Sequence, residues 1–266
     1  MAEYTSITKH PDLDQWISIG ADGRIAIRSG KVDIGQRIST ALALIAAEEL
    51  DVDYSRVDMV QRETGLSPDE GITSGSNSME ESGNAVRVAA ATARHHLLSL
   101  AAEALGVAAD TLEVEDGIIA SRDTNRSVTY SELMGGREFG IKVDQNVSVK
   151  SPDSYSIVGT RVESKGMAEI VMGRSHFVHD MVMPGMLHAR IVRPPHYLAK
   201  LNGLDEAITD RLGNEGISMV RDGSFLAVAG ADEYAAVRAM ERLNNAADWN
   251  MGDGLATDDV FEKLRA

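Results

Sequence analysis

The apolar positions along the chain change rhythm several times, and each change marks an element. Trp16, Ile17 and Ile19 lead to a polar turn at Ala21-Asp22-Gly23. Arg24-Ile25-Ala26-Ile27-Arg28 then alternates with the period of two expected of a half-buried strand. A loop with two glycines, Ser29 to Gln36, follows. From about Ser39 to Leu50 the chain is rich in Ala and Leu, with Ser39 or Thr40 as its opening cap, and this predicts a helix. Val57, Met59 and Val60 suggest another strand. Glu63 to Ser78 shows no periodicity. It ends where Ser78 and Glu81 have the spacing of a capping box. Apolar residues at Val86, Ala89, Ala90, Ala93, Leu97, Leu98 and Ala101 then predict a helix to about Leu105, its alanines small enough to pack closely on a sheet.

Beyond that helix the elements shorten. Leu112 to Ala120 reads as a strand pair turning at Asp116-Gly117, and Thr129-Tyr130-Ser131-Glu132 as a turn. Few large apolar residues lie between Gly135 and Ser154, which places a domain boundary in that stretch. Ser175-His176-Phe177-Val178-His179-Asp180 and Met186 to Val192 read as strands, with Pro184-Gly185 turning between them. Arg193-Pro194-Pro195 stops the second, because proline lacks the donor a ladder needs. Ser224 to Ala229 is a short apolar strand, and a helix from Asp232 to about Leu243 closes an α/β unit. Ala246 to Ala266 has helical content and buries little. The pattern alone reaches a soluble protein of mixed helices and strands.

Composition narrows the function. Across 266 residues, 43% are apolar and 25% charged, the balance of a globular protein. A net charge of −15 has the wrong sign for gripping a phosphate backbone, so a nucleic-acid partner is excluded. The absence of cysteine excludes disulfides, cysteine-ligated zinc and cysteine-held iron–sulfur clusters in this sequence. The first residues lack the apolar run of a signal peptide, and no stretch approaches the roughly 20 apolar residues of a membrane span. A cytoplasmic protein with no membrane span is the expectation.

Two places could carry chemistry. Thr73-Ser74-Gly75-Ser76-Asn77-Ser78 precedes the long helix; small residues allow close approach, and hydroxyls with free helix-start N–H groups suit a phosphate or pyrophosphate. Simple helix capping by the same hydroxyls is the alternative. Gly35-Gln36, at a strand–helix junction, could present a donor and an acceptor to a flat heterocycle, or could be an exposed loop glutamine. His176, His179 and His188, with Asp180, suggest a metal, but strand residues three apart face opposite ways. His95 and His96, adjacent on a helix, are equally poor paired ligands. Asp69-Glu70 and Glu80-Glu81 read as solvated carboxylates rather than an acid–base pair.

A longer series of residues goes further. Gly30-Lys31-Val32-Asp33-Ile34-Gly35-Gln36, Ala46-Ala47-Glu48-Glu49-Leu50-Asp51-Val52, Gly71-Ile72-Thr73-Ser74-Gly75-Ser76 and Gly83-Asn84-Ala85-Val86-Arg87 occur in order. Val158-Gly159, Phe177-Val178-His179-Asp180, Pro184-Gly185-Met186-Leu187-His188 and Arg193-Pro194-Pro195 follow. The series resembles the molybdopterin-binding subunits of the xanthine dehydrogenase and aldehyde oxidase family, in the nicotinate dehydrogenase and isoquinoline oxidoreductase branch.

The resemblance implies an α+β fold: a partial molybdopterin-binding domain over 1–150, an α/β hammerhead domain over 151–250 and a tail over 251–266. It implies a molybdenum-molybdopterin cofactor in the cytosine dinucleotide form, contacted by Gly35, Gln36, Thr73, Ser74, Gly75 and Ser76. It also implies a second molybdopterin-binding polypeptide, an iron–sulfur subunit and a small-molecule substrate, an aldehyde or N-heterocycle. The family's catalytic glutamate and its glycine-rich stretch near the metal have no counterpart here, so the resemblance implies no catalytic residue in this sequence. Arg37 stands where the family has a glycine, and Gly166, Ala168 and Ile170 depart from its pattern. The expectation is a component of a molybdenum hydroxylase that needs a further polypeptide. A non-catalytic remnant or assembly module, and a phosphate- or nucleotide-binding protein using the serine loop alone, are the alternatives.

Overall fold

Alternating isoleucines open the first of two units, Met1–Ser175. In the computed structural model, which describes residues 5–60, 62–174, 177–252 and 260–266, a short α1 (Thr5–Lys9) precedes β1 (Ile17–Ile19) and β2 (Ile25–Ile27). The two strands pair antiparallel with Ile17 opposite Ile27, and all four isoleucines at their ends are buried. β3 (Val57–Met59) joins β2 in parallel, a pairing that requires a crossover, and α2 (Ile38–Leu50) supplies it. Trp16 lies fully buried beneath, its indole N–H donating to the His10 carbonyl at 2.8 Å.

The long helix, α3 (Asn84–Leu105), packs chiefly along α2 rather than on a sheet. Ala43, Ala46 and Ala47 of α2 and Ala85, Ala89, Ala90 and Ala93 of α3 are all buried in one core, and their small side chains let the helices approach closely. A π-helical turn, Ser78–Gly83, leads into α3. The expected Ser78–Glu81 capping box is not formed, because Asn77 takes the cap position and Glu81 pairs with Lys31. Likewise Arg37, not Ser39 or Thr40, occupies the N-cap position of α2, with no cap bond from its side chain.

β4 (Leu112–Glu115), β5 (Ile118–Ser121) and β6 (Ser127–Thr129) form an antiparallel sheet in that order. Its first turn, Asp116-Gly117, has both residues at positive φ, as a two-residue hairpin requires. Thr129 to Glu132, read from sequence as a turn, starts α4 (Tyr130–Met134) with a capping box: Thr129 Oγ1 accepts the Glu132 N–H, and the Glu132 carboxylate accepts the Thr129 N–H.

The connector Gly135–Ser154, expected to separate the domains, is bonded into the first unit instead. Asp14 accepts the N–H groups of Phe139 and Gly140, and Leu13 donates to the Ile141 carbonyl. Glu49, 1% exposed, accepts the Lys150 N–H and pairs with Arg87; Glu48, equally buried, accepts the N–H groups of Ser156, Ile157 and Val158. Those bonds carry the unit past residue 150, through α5 (Met167–Val171), to Ser175.

The second unit, His176–Ala266, contains β7 (His188–Ile191), β8 (Lys200–Leu204), α6 (Glu206–Asn214), β9 (Ser218–Asp222), β10 (Phe225–Gly230), α7 (Glu233–Ala246), β11 (Ala247–Asn250) and α8 (Val260–Arg265). β7, β10 and β9 form one antiparallel sheet and β8 and β11 another. Leu226 and Val228 on β10 are buried with Ala239 and Leu243 of α7. On the opposite sheet face, Ile191, Val220 and Phe225 are exposed. Of the strand expected over 175–180, Ser175 and His176 lie outside the described residues and Val178–Asp180 is a 3-10 turn. Residues 247–250, at the start of a stretch expected to have helical content, are paired strand.

Candidate functional site

Two loops meet at the N-terminal end of α2. The first leaves β2 and runs from Ser29 to Arg37; the second runs from Arg62 to Asn77 and enters the π-helical turn ahead of α3. Sequence alone does not show what joins them. Glu70 is the brace: one carboxylate oxygen accepts the Ser29 hydroxyl and the Gly30 N–H, each at 2.8 Å, and the other accepts the Ser82 hydroxyl at 2.7 Å. Gly30 must be glycine, since a Cβ there would sit 2.2 Å from the Pro68 carbonyl oxygen.

Val32 then ties the expected site residues together. Its N–H donates to Thr73 Oγ1 at 2.9 Å, while its carbonyl accepts from Gln36 Nε2 at 2.8 Å. The Gln36 side-chain oxygen accepts the Ile34 N–H at 2.6 Å. The amide is therefore held by its own loop, with one N–H and one acceptor lone pair left over. Gly35 lies at φ 106 beside it, with nothing within 4 Å of a Cβ position. Neither the Ser74 nor the Ser76 hydroxyl has a protein partner among the described residues, and both side chains are exposed. Gly75 and Ser76, at φ 65 and 61, turn the chain into the helix entrance, whose first N–H groups have no carbonyl of their own helix to bond.

Charge around the loops is closely managed. Lys31 is buried and pairs with Glu81 at 2.8 Å. Arg62 donates from Nε to the Lys31 carbonyl and from Nη1 to the Ser39 hydroxyl. Burial pushes the Arg62 guanidinium down from its ordinary value, against Asp33 and Glu70, which raise it. Arg37 sits at φ 61, in the left-handed region where glycine is at ease, and its Nη2 lies 3.5 Å from Met167 Sδ. Apolar side chains flank both loops: Ile34 is 72% exposed and Ile72 81%.

The arrangement suits a flat, phosphorylated heterocycle. Free hydroxyls and helix-start N–H groups can receive phosphate oxygens, and a prepositioned amide and bare isoleucines can meet a ring. Gly35, Gln36, Thr73, Ser74, Gly75 and Ser76 fall in one neighbourhood through Val32. Lys31 and Glu70 brace these loops without a sequence signal for that role; Glu70, expected to be solvated, is spent on three bonds, and Glu81 on Lys31. Among the described residues no group of three or more His, Asp or Glu could hold a metal. His95 and His96 remain neighbours on α3, and His176 lies outside the described residues.

The model of the molybdopterin cofactor-binding domain matches residues 2–173, a span that contains both loops. The chain belongs to that family, within the molybdenum hydroxylases. It is 34% identical to a subunit of the nicotinate dehydrogenase of Pseudomonas putida, over 98% of this chain and 22% of that protein. It is 26% identical to the beta subunit of isoquinoline 1-oxidoreductase from Brevundimonas diminuta, over 86% of this chain and 34% of that protein. The chain thus spans about a fifth to a third of the length of these relatives. A reconstituted CO dehydrogenase from Oligotropha carboxidovorans is 25% identical over 53% of this chain and 18% of its own, with a TM-score of 0.42. In this molybdopterin-binding chain, no helix among the described residues is long and apolar enough to cross a membrane.

Proposed function

We propose that this chain is a component of a molybdenum hydroxylase and holds one side of the molybdopterin cofactor. Gln36 presents its spare amide groups to the pterin, and Thr73, Ser74 and Ser76, with the backbone of Gly35 and Gly75, receive the pterin and its pyrophosphate. The observation that carries this reading is the double use of Val32, which fixes the glutamine loop and the hydroxyl loop side by side. The cofactor, in its cytosine dinucleotide form, supplies hydroxylation of a carbon in an aldehyde or N-heterocycle, with oxygen from water. This chain's residues bind and orient it.

A further polypeptide carrying the family's glutamate and glycine-rich stretch completes the site, and an iron–sulfur subunit takes the electrons. The uncovered face formed by Ile191, Val220 and Phe225 supports a need for such a partner, because exposed apolar patches of this kind mark contact surfaces. The second unit, from residue 176 to about 250, corresponds to the hammerhead under the same reading.

Co-expression with that polypeptide tests the proposal. Elemental analysis of the purified complex should find molybdenum, and denaturation should release a fluorescent pterin. A chain that purifies alone, is unaffected by the partner and carries neither would overturn it.

A further inference from the structure

Lys31 stands where the two loops cross and is withdrawn from solvent. Its side chain is 3% exposed. An ammonium has three protons, and three acceptors surround this one: the Glu81 carboxylate at 2.8 Å, the Glu70 carbonyl at 2.8 Å and the Ile72 carbonyl at 3.4 Å. Two belong to the backbone that leads directly to Thr73. The third is a carboxylate in the first turn at the helix entrance, and it remains 40% exposed.

A carboxylate at that position favours the helix, because it meets the positive end of the dipole. For the same reason it repels any anion arriving at those N–H groups. We infer that Lys31 is a positioning residue with two effects: it holds the hydroxyl loop by its carbonyls, and it cancels the charge of Glu81 so that the entrance accepts a phosphate group. The inference rests on the site proposed above. A purely structural ion pair would weaken binding when either partner is lost. An electrostatic one makes the two losses act in opposite directions.

Inorganic pyrophosphate titrated calorimetrically into the full chain at low ionic strength separates these cases. Glu81→Gln should tighten binding roughly two- to fivefold, the effect of one charge at a helix start. Lys31→Met should weaken it by at least as much, the Lys31→Met, Glu81→Gln double variant should recover the charge part, and added salt should shrink the differences. Glu81 is partly exposed, so its variant folds even where loss of the buried ammonium does not. Unchanged or weaker binding by Glu81→Gln overturns the inference and leaves the site standing. If the unaltered chain binds no pyrophosphate, the site and the electrostatic effect fall together. The holding effect is then decided by amide exchange, where Lys31→Met must speed exchange at Val32 and over 72–78, and an unchanged pattern refutes it.

Discussion

The two ends of α2 treat polar groups in opposite ways. At the C-terminal end, Glu48 and Glu49 are buried and fully paired, gripping the backbone of Lys150 and of Ser156 to Val158, with Lys150 and Arg87 as counter-ions. At the N-terminal end, the Ser74 and Ser76 hydroxyls and half of the Gln36 amide have no protein partner among the described residues. A closed network of buried charge specifies where a segment lies, whereas idle polar groups on a braced scaffold contribute little to stability and are free for a ligand. One end holds the unit together; the other is open for use.

The sharpest break in that contrast comes from Glu48→Ala. It leaves three N–H groups unpaired in the interior and the Lys150 ammonium held by Asp51 alone, and should cost about 3–5 kcal/mol in urea unfolding. The pH dependence follows from the same carboxyl. Burial pushes Glu48 up, but the N–H groups of Val158, Ile157 and Ser156, with Lys150, outweigh it and hold it below the ordinary glutamate value. A depressed folded value means the stabilisation is present above the unfolded value of about 4.3 and is lost as pH falls through the folded one. Protection of the 156–158 amides, taken relative to their intrinsic exchange rates, should therefore fall as the pH drops below about 4.3, and Glu48→Gln should flatten that response.

Gly30→Ala, at the open end, strains the brace rather than the ligand groups. Its Cβ would press on the backbone of Pro68 and Glu70, at 2.2 and 2.9 Å, and should lower stability by about 1–3 kcal/mol. Arg37→Gly should be mildly stabilising. It relieves about 1–2 kcal/mol of left-handed strain and returns about 0.5–1 kcal/mol in chain entropy, leaving a small rise in melting temperature. Smallest of all, Ser74→Ala and Ser76→Ala should each change unfolding free energy by no more than about 0.5 kcal/mol.

Much of this was legible in the residues. The isoleucine alternation located β1 and β2, and the alanine-rich periodicity located α2 and α3, because burial on one face imposes a period. The family match followed from short motifs in order, among them Gly35-Gln36 and Thr73 to Ser76. What escaped were effects with no period. Glu48 and Glu49 interrupt an apolar run at buried positions, a signal that something must pair with them, but not what. Thr129 and Glu132 had capping-box spacing and were read as a turn because α4 is short. Glu70 resembles any loop carboxylate until the chain folds Ser29, Gly30 and Ser82 around it. The connector from Gly135 looked like a linker since its attachment is by backbone bonds, which leave no mark on side-chain pattern.

The central claim is that Gln36 and the hydroxyl loop hold the cofactor jointly, and pterin content measured against melting temperature tests it most directly. In complexes purified with the completing polypeptide, Gln36→Ala and the Ser74→Ala, Ser76→Ala pair should each lower the pterin released on denaturation, while the melting temperature stays close to that of the unaltered chain. Full pterin content in both variants, or a loss confined to the serine pair, would contradict the account.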